Sequence, residues 1–580
     1  MASAVLTAQW RHVTTAAMSN APTPDSAPVS HRALIAWLVL LWAAIFGIAV
    51  SGYPNLLDNE RRVGAYVLDV LQNHHWIIQR DSTGVIASKP PMLTWIASLS
   101  ALGFGEVNRF SIYLPSALAT LGVTLLIFGA GRKHFGWRAG FIAALAYLLS
   151  YVADKQVVTA RYDGVFSFPV LLGALAAYRA WTTGRGWTGF WLAVTLATMV
   201  KGPLGLVLAG SGLLAAFWEK RSGNRIPFRG SHVFGIVLFL LISGGWFVLA
   251  YDQLGQPLID KMFGRELVGH LVKKGEHTLG QGFWEPVWNT FTNFLPWTVV
   301  APFAFWRVVK RPAANIDERQ FERFLFCWVM ASIILFSIAA HQRGRLAWPL
   351  VPAIALLVGR QLDQWLARMT SRRVLALGGA LTVLTLTGLT VYHHVLQRRS
   401  RAVQETLLMK SVAAELKQLG PHFPLTYTDV HFAMQFFQNH LQFETRMAPA
   451  VEVLRQDKPA FVLVDRMELL KKMLGTNAPL YELRRWPTNG SPELWLVSNQ
   501  PKLFASDVAR VAAGPVTITL DQARIEHASW NEFVFSSTDT HAEVEILNTL
   551  PTPLAVQARW EDGALNERTL APGEKLQLTR

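Results

Sequence analysis

Two stretches of this chain, Ala33–Tyr53 and Phe110–Gly131, contain no charged residue, and each is long enough to cross the hydrocarbon core of a bilayer. Uncharged apolar runs of about 18 residues or more, repeated along one chain, settle the class as an α-helical polytopic membrane protein. Composition agrees. Of 580 residues only 16% are charged and 51% are hydrophobic, whereas a soluble domain carries about a quarter charged residues. The net charge of +15 does not point to nucleic acid, because the basic residues fall mostly in short loops between apolar runs. That bias orients membrane proteins. The single cysteine, Cys327, lies within an apolar run and supports neither a disulfide framework nor a cysteine-based metal site.

Placing the basic loops inside gives an expectation of eleven spans, with the N-terminus in the cytoplasm and the C-terminus outside. Residues 1–32, polar and rich in Ala, Ser, Thr and Pro, are expected to form a disordered cytoplasmic tail, and residues 33–395 the membrane domain. Met92–Phe104 is too short to span and is assigned to the outer surface. The stretch Trp187–Trp218 is broken at Lys201-Gly202-Pro203 between two basic flanks, so it is expected to cross twice. Over 396–500, strand patterns alternate with helical ones, which predicts a small α/β domain. Over 501–580 only strands and turns remain, which predicts a β-sandwich-like module. Both should face the extracytoplasmic side.

The polar stretch Asn55–Pro91 stands out between apolar regions. It opens with Asp58 and Glu60, followed by Arg61 and Arg62, and closes on Lys89-Pro90-Pro91. Val63, Tyr66, Val67, Val70 and Leu71 recur at helical spacing, which predicts an amphipathic helix lying in the membrane interface. The loop would hold carboxylates and a lysine at the level of lipid headgroups. Across the whole chain the notable charges lie in outer loops, not in mid-span. A transporter keeps ionisable groups near the midplane, whereas an enzyme acting on a lipid-linked substrate needs them at the interface. The distribution favours the enzyme.

Asp58 or Glu60 could take the proton of an acceptor hydroxyl as it displaces a phosphate. The alternatives are an N-cap for Asp58 and a first-turn acid for Glu60. Asp163, in Arg161-Tyr162-Asp163 at the start of a span, is a third candidate acid that capping explains about as well. Lys89, Lys201, Arg265, Arg343 and Arg345 suit a lipid phosphate, whose departure is helped by fixed cations. Lys201 could equally be an interfacial helix end, and Arg343 and Arg345 a solvated turn. His270, Glu276 and His277, with Glu266 in support, are candidate ligands for a divalent ion, zinc or magnesium/manganese, at a spacing that is not specific.

Taken together, these motifs resemble a family. Asp58-Asn59-Glu60 after the first span, Lys89-Pro90-Pro91 before a short apolar helix, Arg161-Tyr162-Asp163, Lys201-Gly202-Pro203 and Arg265-Glu266 occur in the order seen in integral-membrane glycosyltransferases of the GT-C fold. Within that class the chain is similar to the protein O-mannosyltransferase-like superfamily and its bacterial aminoarabinose lipid A transferases, over residues 33–400. The resemblance implies a polyprenyl-phosphate sugar donor and inverting transfer on the periplasmic face of a bacterial inner membrane. The sugar would be 4-amino-4-deoxy-L-arabinose or another, and the acceptor lipid A or another envelope molecule. It also implies that Asp58, Glu60 and Asp163 line the reaction centre and that Lys89, with one or more loop arginines, holds the donor phosphate. Membrane lipids are expected partners, nucleic acid is not, and a monomer is expected. One departure concerns the Lys-Leu-Pro-x-Tyr turn of the aminoarabinose transferases. This chain has Gln342-Arg343-Gly344-Arg345-Leu346-Ala347-Trp348-Pro349, without the tyrosine. Two alternatives stand beside this reading: a protein O-glycosyltransferase of the same fold, and a lipid-linked-sugar transporter.

Overall fold

The computed structural model describes residues 30–54, 60–223, 230–262, 264, 283–338 and 344–418, most of 425–499, and strands with short connections between 508 and 579. The first part is helical. It begins with α1 (His31–Ser51), α2 (Glu60–Asn73), α3 (Met92–Phe104), α4 (Arg109–Phe135), α5 (Trp137–Leu148), α6 (Tyr151–Val157), α7 (Tyr162–Thr183) and α8 (Trp187–Lys201). It continues with α9 (Leu204–Ser211), α10 (Ala215–Arg221), α11 (Val233–Leu254), α12 (Glu285–Asn293), α13 (Ala301–Lys310), α14 (Ile316–Ile338), α15 (Val351–Trp365) and α16 (Ser371–Arg399). The chain is a multi-pass integral membrane protein.

Among the described residues, six helices are long and apolar enough to cross a membrane: α1, α4, α7, α11, α14 and α16. This is fewer than the eleven expected. Several apolar stretches that looked continuous are divided. The apolar stretch 139–153 splits into α5 and α6, and 287–306 into α12 and α13 around Pro296. Trp187–Trp218, by contrast, breaks where the sequence places the break, at Gly202, whose φ of +87° a side chain would strain, and at Pro203, which has no N–H to give.

Small residues set the closest helix contacts. A Cβ on Gly131 would lie 2.5 Å from the Gly140 Cα, so α4 and α5 meet backbone to backbone. Gly359 brings α15 equally close to Ala143 of α5. Without a hydrophobic drive in lipid, such close approach is how membrane helices gain packing energy. Arg109 caps α1 by donating to the carbonyls of Val50 and Gly52, both at 2.7 Å, and Ala49 at 3.2 Å. The end of α16 joins there: His393 accepts from the Tyr53 N–H, and its Nε2 lies 3.2 Å from the buried Asp154 carboxylate. Residues Tyr151–Val157 therefore form a tucked helix, α6.

At the other end of the bundle, several charges are paired internally. Arg323 donates to Glu219 at 2.7 Å and lies over the Trp218 ring, while Arg360 pairs with Glu318 and Glu322 and covers Phe135. Glu219 and Glu322 are fully buried. These pairs tie α10, α14 and α15 together.

Beyond α16 come α17 (Arg401–Gln418), α18 (Phe432–Gln438), α19 (Met447–Leu454) and α20 (Met467–Leu474). They pack on a four-stranded sheet of β1 (Leu425–Thr428), β2 (Phe461–Val464), β3 (Tyr481–Trp486) and β4 (Leu494–Ser498), in the order β1-β2-β4-β3. The β1–β2 pair is parallel and the others antiparallel. Alternation along β2 separates two cores: Val462 and Val464 face Met467 and Leu470, while Phe461 and Leu463 face Val412 and Leu416. Eight further strands between Val508 and Thr579 pair antiparallel in small sheets.

The helix expected to expose a polar face at the interface is instead covered by protein. Residues 63–70 of α2 are buried on every face. One side packs into the bundle through Val63, Val67 and Leu68; the other meets Phe432 and Phe436 of α18 at Gly64. Amphipathic spacing correctly gave a helix with one apolar face. It did not show that a folded domain would cover the remaining sides.

Candidate active site

The loop after α2 is organised by one buried acid. Asp69 accepts from the Asn73 amide (2.8 Å), the Arg80 backbone N–H (2.7 Å) and lies 2.9 Å from His75 Nδ1. Asp81 then folds the tip: its carboxylate accepts from the N–H groups of Thr83 and Val85, and Arg80 bridges Ile86. Such a side chain replaces backbone turn bonds, which is why Asp-Ser-Thr-Gly favours a tight turn. Arg62, exposed at the start of α2, points its Nε to within 4.0 Å of Asp81. Lys89 follows, partly buried, immediately before Pro90 and the start of α3.

Three elements then converge. Asp163 sits in the first turn of α7, behind the N-cap residue Arg161, so it is not itself the cap. Its carboxylate is bonded by Lys201 Nζ on one oxygen, and the other lies 3.4 Å from Arg345 Nε. Lys201 is the last residue of α8, where Gly202 turns the chain, and its ammonium also lies over the Phe166 ring. Arg345 stands on a 3-10 turn, Gly344–Leu350, which is pinned to α12: Asn293 donates to the Gly344 carbonyl and accepts from the Trp348 indole. Side-chain exposures of 10% for Asp163 and 12% for Lys201 mean little water competes for the pair. The helix N-terminus adds positive potential. The result is two fixed cations oriented by one carboxylate at the end of the bundle.

The structure thus brings together Asp163, Lys201 and Arg345, and it places Lys89 at the mouth of the folded loop. Asp58, Arg265, Glu266, His270, Glu276, His277 and Arg343 lie outside the described residues, as does the side chain of Glu60, the first residue of α2. Among the described residues no group of three or more His, Cys, Asp or Glu is placed to hold a metal ion. Asp69 and Asp81, which shape the loop, were not singled out from sequence as site residues. The Asp-Ser-Thr-Gly turn signal was available for Asp81; for Asp69 only its four-residue spacing to Asn73 was.

Comparison with known proteins meets this geometry. Residues 88–246, which include Lys89, Asp163 and Lys201, match the family model of dolichyl-phosphate-mannose-protein mannosyltransferase. Over that segment the chain is similar to the glycosyltransferases that the family model describes. It is 26% identical over 331 residues to an uncharacterised Aquifex aeolicus protein, covering 55% of this chain and 70% of that one. It is 23% identical over 370 residues to an undecaprenyl phosphate-α-4-amino-4-deoxy-L-arabinose arabinosyl transferase of Pseudomonas fluorescens. That match covers 60% of this chain and 63% of the relative's length. The fold is that of the crystal structure of ArnT from Cupriavidus metallidurans bound to undecaprenyl phosphate. The TM-score is 0.64 at 18% identity, over 82% of this chain and 99% of that one.

Proposed function

We propose that this chain transfers a sugar from a polyprenyl-phosphate donor to an acceptor at the periplasmic face of a bacterial inner membrane, with inversion at the anomeric carbon. The observation that carries this reading is the Asp163 carboxylate held between Lys201 and Arg345 at the end of an apolar helix bundle. A departing lipid phosphate concentrates negative charge where two preset cations in a water-poor site stabilise it most. Asp163 orients those cations so that no reorganisation is needed when the phosphate leaves. Lys89 supplies a third cation from the loop. Asp58, or Glu60 beside it, positions the acceptor or takes its proton, according to whether the acceptor is a phosphate or a hydroxyl.

The sugar is 4-amino-4-deoxy-L-arabinose or a close relative, as the names of the arabinosyl transferase relatives suggest, and the acceptor is lipid A or another envelope molecule. A second reading, a protein acceptor, is favoured by the description of the matching family model. In the test, purified full-length protein in detergent receives polyprenyl-phosphate sugars with lipid A or with secreted-protein peptides. Transfer to lipid A supports the first reading and transfer to peptide the second. Use of nucleotide sugars in place of lipid-linked ones would sink both.

A further inference from the structure

Phe303, Trp306, Arg307 and Lys310 of α13 follow one another at three- and four-residue spacing, so they share one side of that helix. Ala301, Ala304 and Val308 on the other side are buried in the bundle. Phe303 and Trp306 are 54% and 51% exposed, and Lys310 and Arg311 are exposed beyond them. We propose that this face, where α13 meets the end of α15, binds an anionic phospholipid whose phosphate is held by Arg307. The proposal concerns a part of the molecule away from Asp163 and does not rest on the sugar-transfer reading.

The place in the fold follows from helix lengths. Asp163 opens α7, and Tyr178, fifteen residues on or about 22 Å along the axis, packs against Phe321 at the start of α14. Arg360, which pairs with Glu318 and Glu322 of α14, lies at the same end. Exposed Lys310, Arg311, Arg368, Arg372 and Arg373 gather there. That excess assigns this end to the inner leaflet, where anionic phospholipid headgroups attract basic residues.

Charge accounting singles out Arg307. Among the described residues it has no ion-pair partner, and its Nη1, closed off from water, has no acceptor. The acid whose charge reaches it, Glu318, is bound by Arg360 at 2.5 Å, and Glu322 is held by the same guanidinium. Asp363 pairs with Arg138 at 3.0 Å, and Asp317 lies on the α7 side beside Tyr178 and His134. The neighbouring acids are thus committed elsewhere, while Arg360 adds a repelling charge. A half-buried guanidinium left without a counter-charge is costly. A phosphate supplies that charge and matches the planar fork of donors.

The surroundings select a lipid over a soluble anion. Arg307 lies about one turn deeper along α13 than Lys310, so the phosphate it binds must be drawn down beside the helix. Phe303, a further turn down, is placed to meet an acyl chain. The Trp365 ring of α15 meets Phe303 edge-on at 5.4 Å, and Arg311 lies over the Trp306 ring at 5.1 Å. Tryptophan and cations in this order along a helix end match the interface between hydrocarbon and headgroups. The α15 side is fixed, because Arg138 donates to the carbonyls of Leu366 at 3.0 Å and Met369 at 3.3 Å.

Native mass spectrometry of the full chain in detergent, titrated with phosphatidylglycerol or phosphatidylcholine, tests this. The parent should bind phosphatidylglycerol about tenfold more tightly than phosphatidylcholine. Arg307→Gln should remove most of that preference, and Lys310→Gln with Arg311→Gln should reduce it about fivefold. Lys220→Gln with Arg221→Gln, exposed at the end of α10, should leave it within about twofold. The proposal is overturned if the parent shows no preference, or if Arg307→Gln keeps it. An equal loss in the α10 variant also overturns it, since the attraction would then be general surface charge. Should Arg307→Gln fail to fold, the Lys310 and Arg311 variant decides, and an unchanged preference there overturns the site.

Discussion

Gly64 of α2 lies so close to Phe432 of α18 that an added Cβ would sit 3.1 Å from its ring. This contact joins the membrane part to the domain that follows it. Two further links flank it: Leu441 N–H donates to Gln72 Oε1 at 2.9 Å, and Val107 N–H donates to the Asn439 side chain at 2.6 Å. The helix that immediately follows the candidate acids is therefore gripped from both sides.

Gly64→Val should lower thermal stability and transfer together. Overpacking a close contact costs about 1–3 kcal/mol, and relief here must come from shifting α2 or the aromatic pair. Gly64→Ala should do the same more mildly. Melting curves beside transfer assays decide it: a Val variant as stable and active as the parent would mean the two parts do not constrain each other.

On these contacts the loop 74–91 and the domain after Arg399 are expected on one side of the membrane. Thr83→Cys and Ser400→Cys variants should both react with a membrane-impermeant thiol reagent on intact spheroplasts. Labelling of only one of them would break the arrangement.

At the candidate site, Asp163→Asn should abolish transfer and also destabilise the protein, because it leaves Lys201 nearly buried without its counter-charge. Breaking a buried pair by removing one partner costs about 3–5 kcal/mol. The double variant Asp163→Asn with Lys201→Met should recover much of that stability and none of the activity. Recovery of both would reduce the pair to a structural contact.

Lys89→Ala should raise the donor KM or reduce the rate roughly ten- to a hundredfold, the worth of one charge-assisted contact of about 1.5–3 kcal/mol. Its folding should be unaffected, since Lys89 lies between a loop and Pro90 and not within a helix. Transfer within about twofold of the parent would remove it from the site.

How much of this was written in the sequence depends on distance along the chain. The long uncharged runs gave the class, and motif order gave the family. Asp163, Lys201 and Arg345 were each visible as charges at apolar ends, but nothing local told that one carboxylate would bind both cations. That pairing is made by α7, α8 and the turn on α12 meeting in space. Helix division was hard to see because hydropathy averages over a break such as that around Pro296, whereas the backbone does not. Burial of α2 was invisible for a related reason: the residues that cover it, Phe432 and Phe436, belong to a domain far along the chain.

Asp58→Asn should reduce transfer far more than Glu60→Gln. Glu60 is the first residue of α2, where an acid is favoured by the helix N-terminus and can satisfy its amides. Asp58 precedes the helix, in the segment between α1 and α2. Two residues apart, the acids are not expected to aim at the same point. Asparagine keeps the size and the acceptor oxygen of aspartate, so a capping role would survive the change. A base would not, and its loss costs about 10²–10⁴ in rate. Single-turnover transfer by both variants, measured beside their melting temperatures, separates the roles. A stable Asp58→Asn protein that transfers nearly as fast as the parent would make Asp58 a cap and move any base to Glu60. Because Asp163 is already committed to Lys201 and Arg345, it is the weaker candidate for that proton.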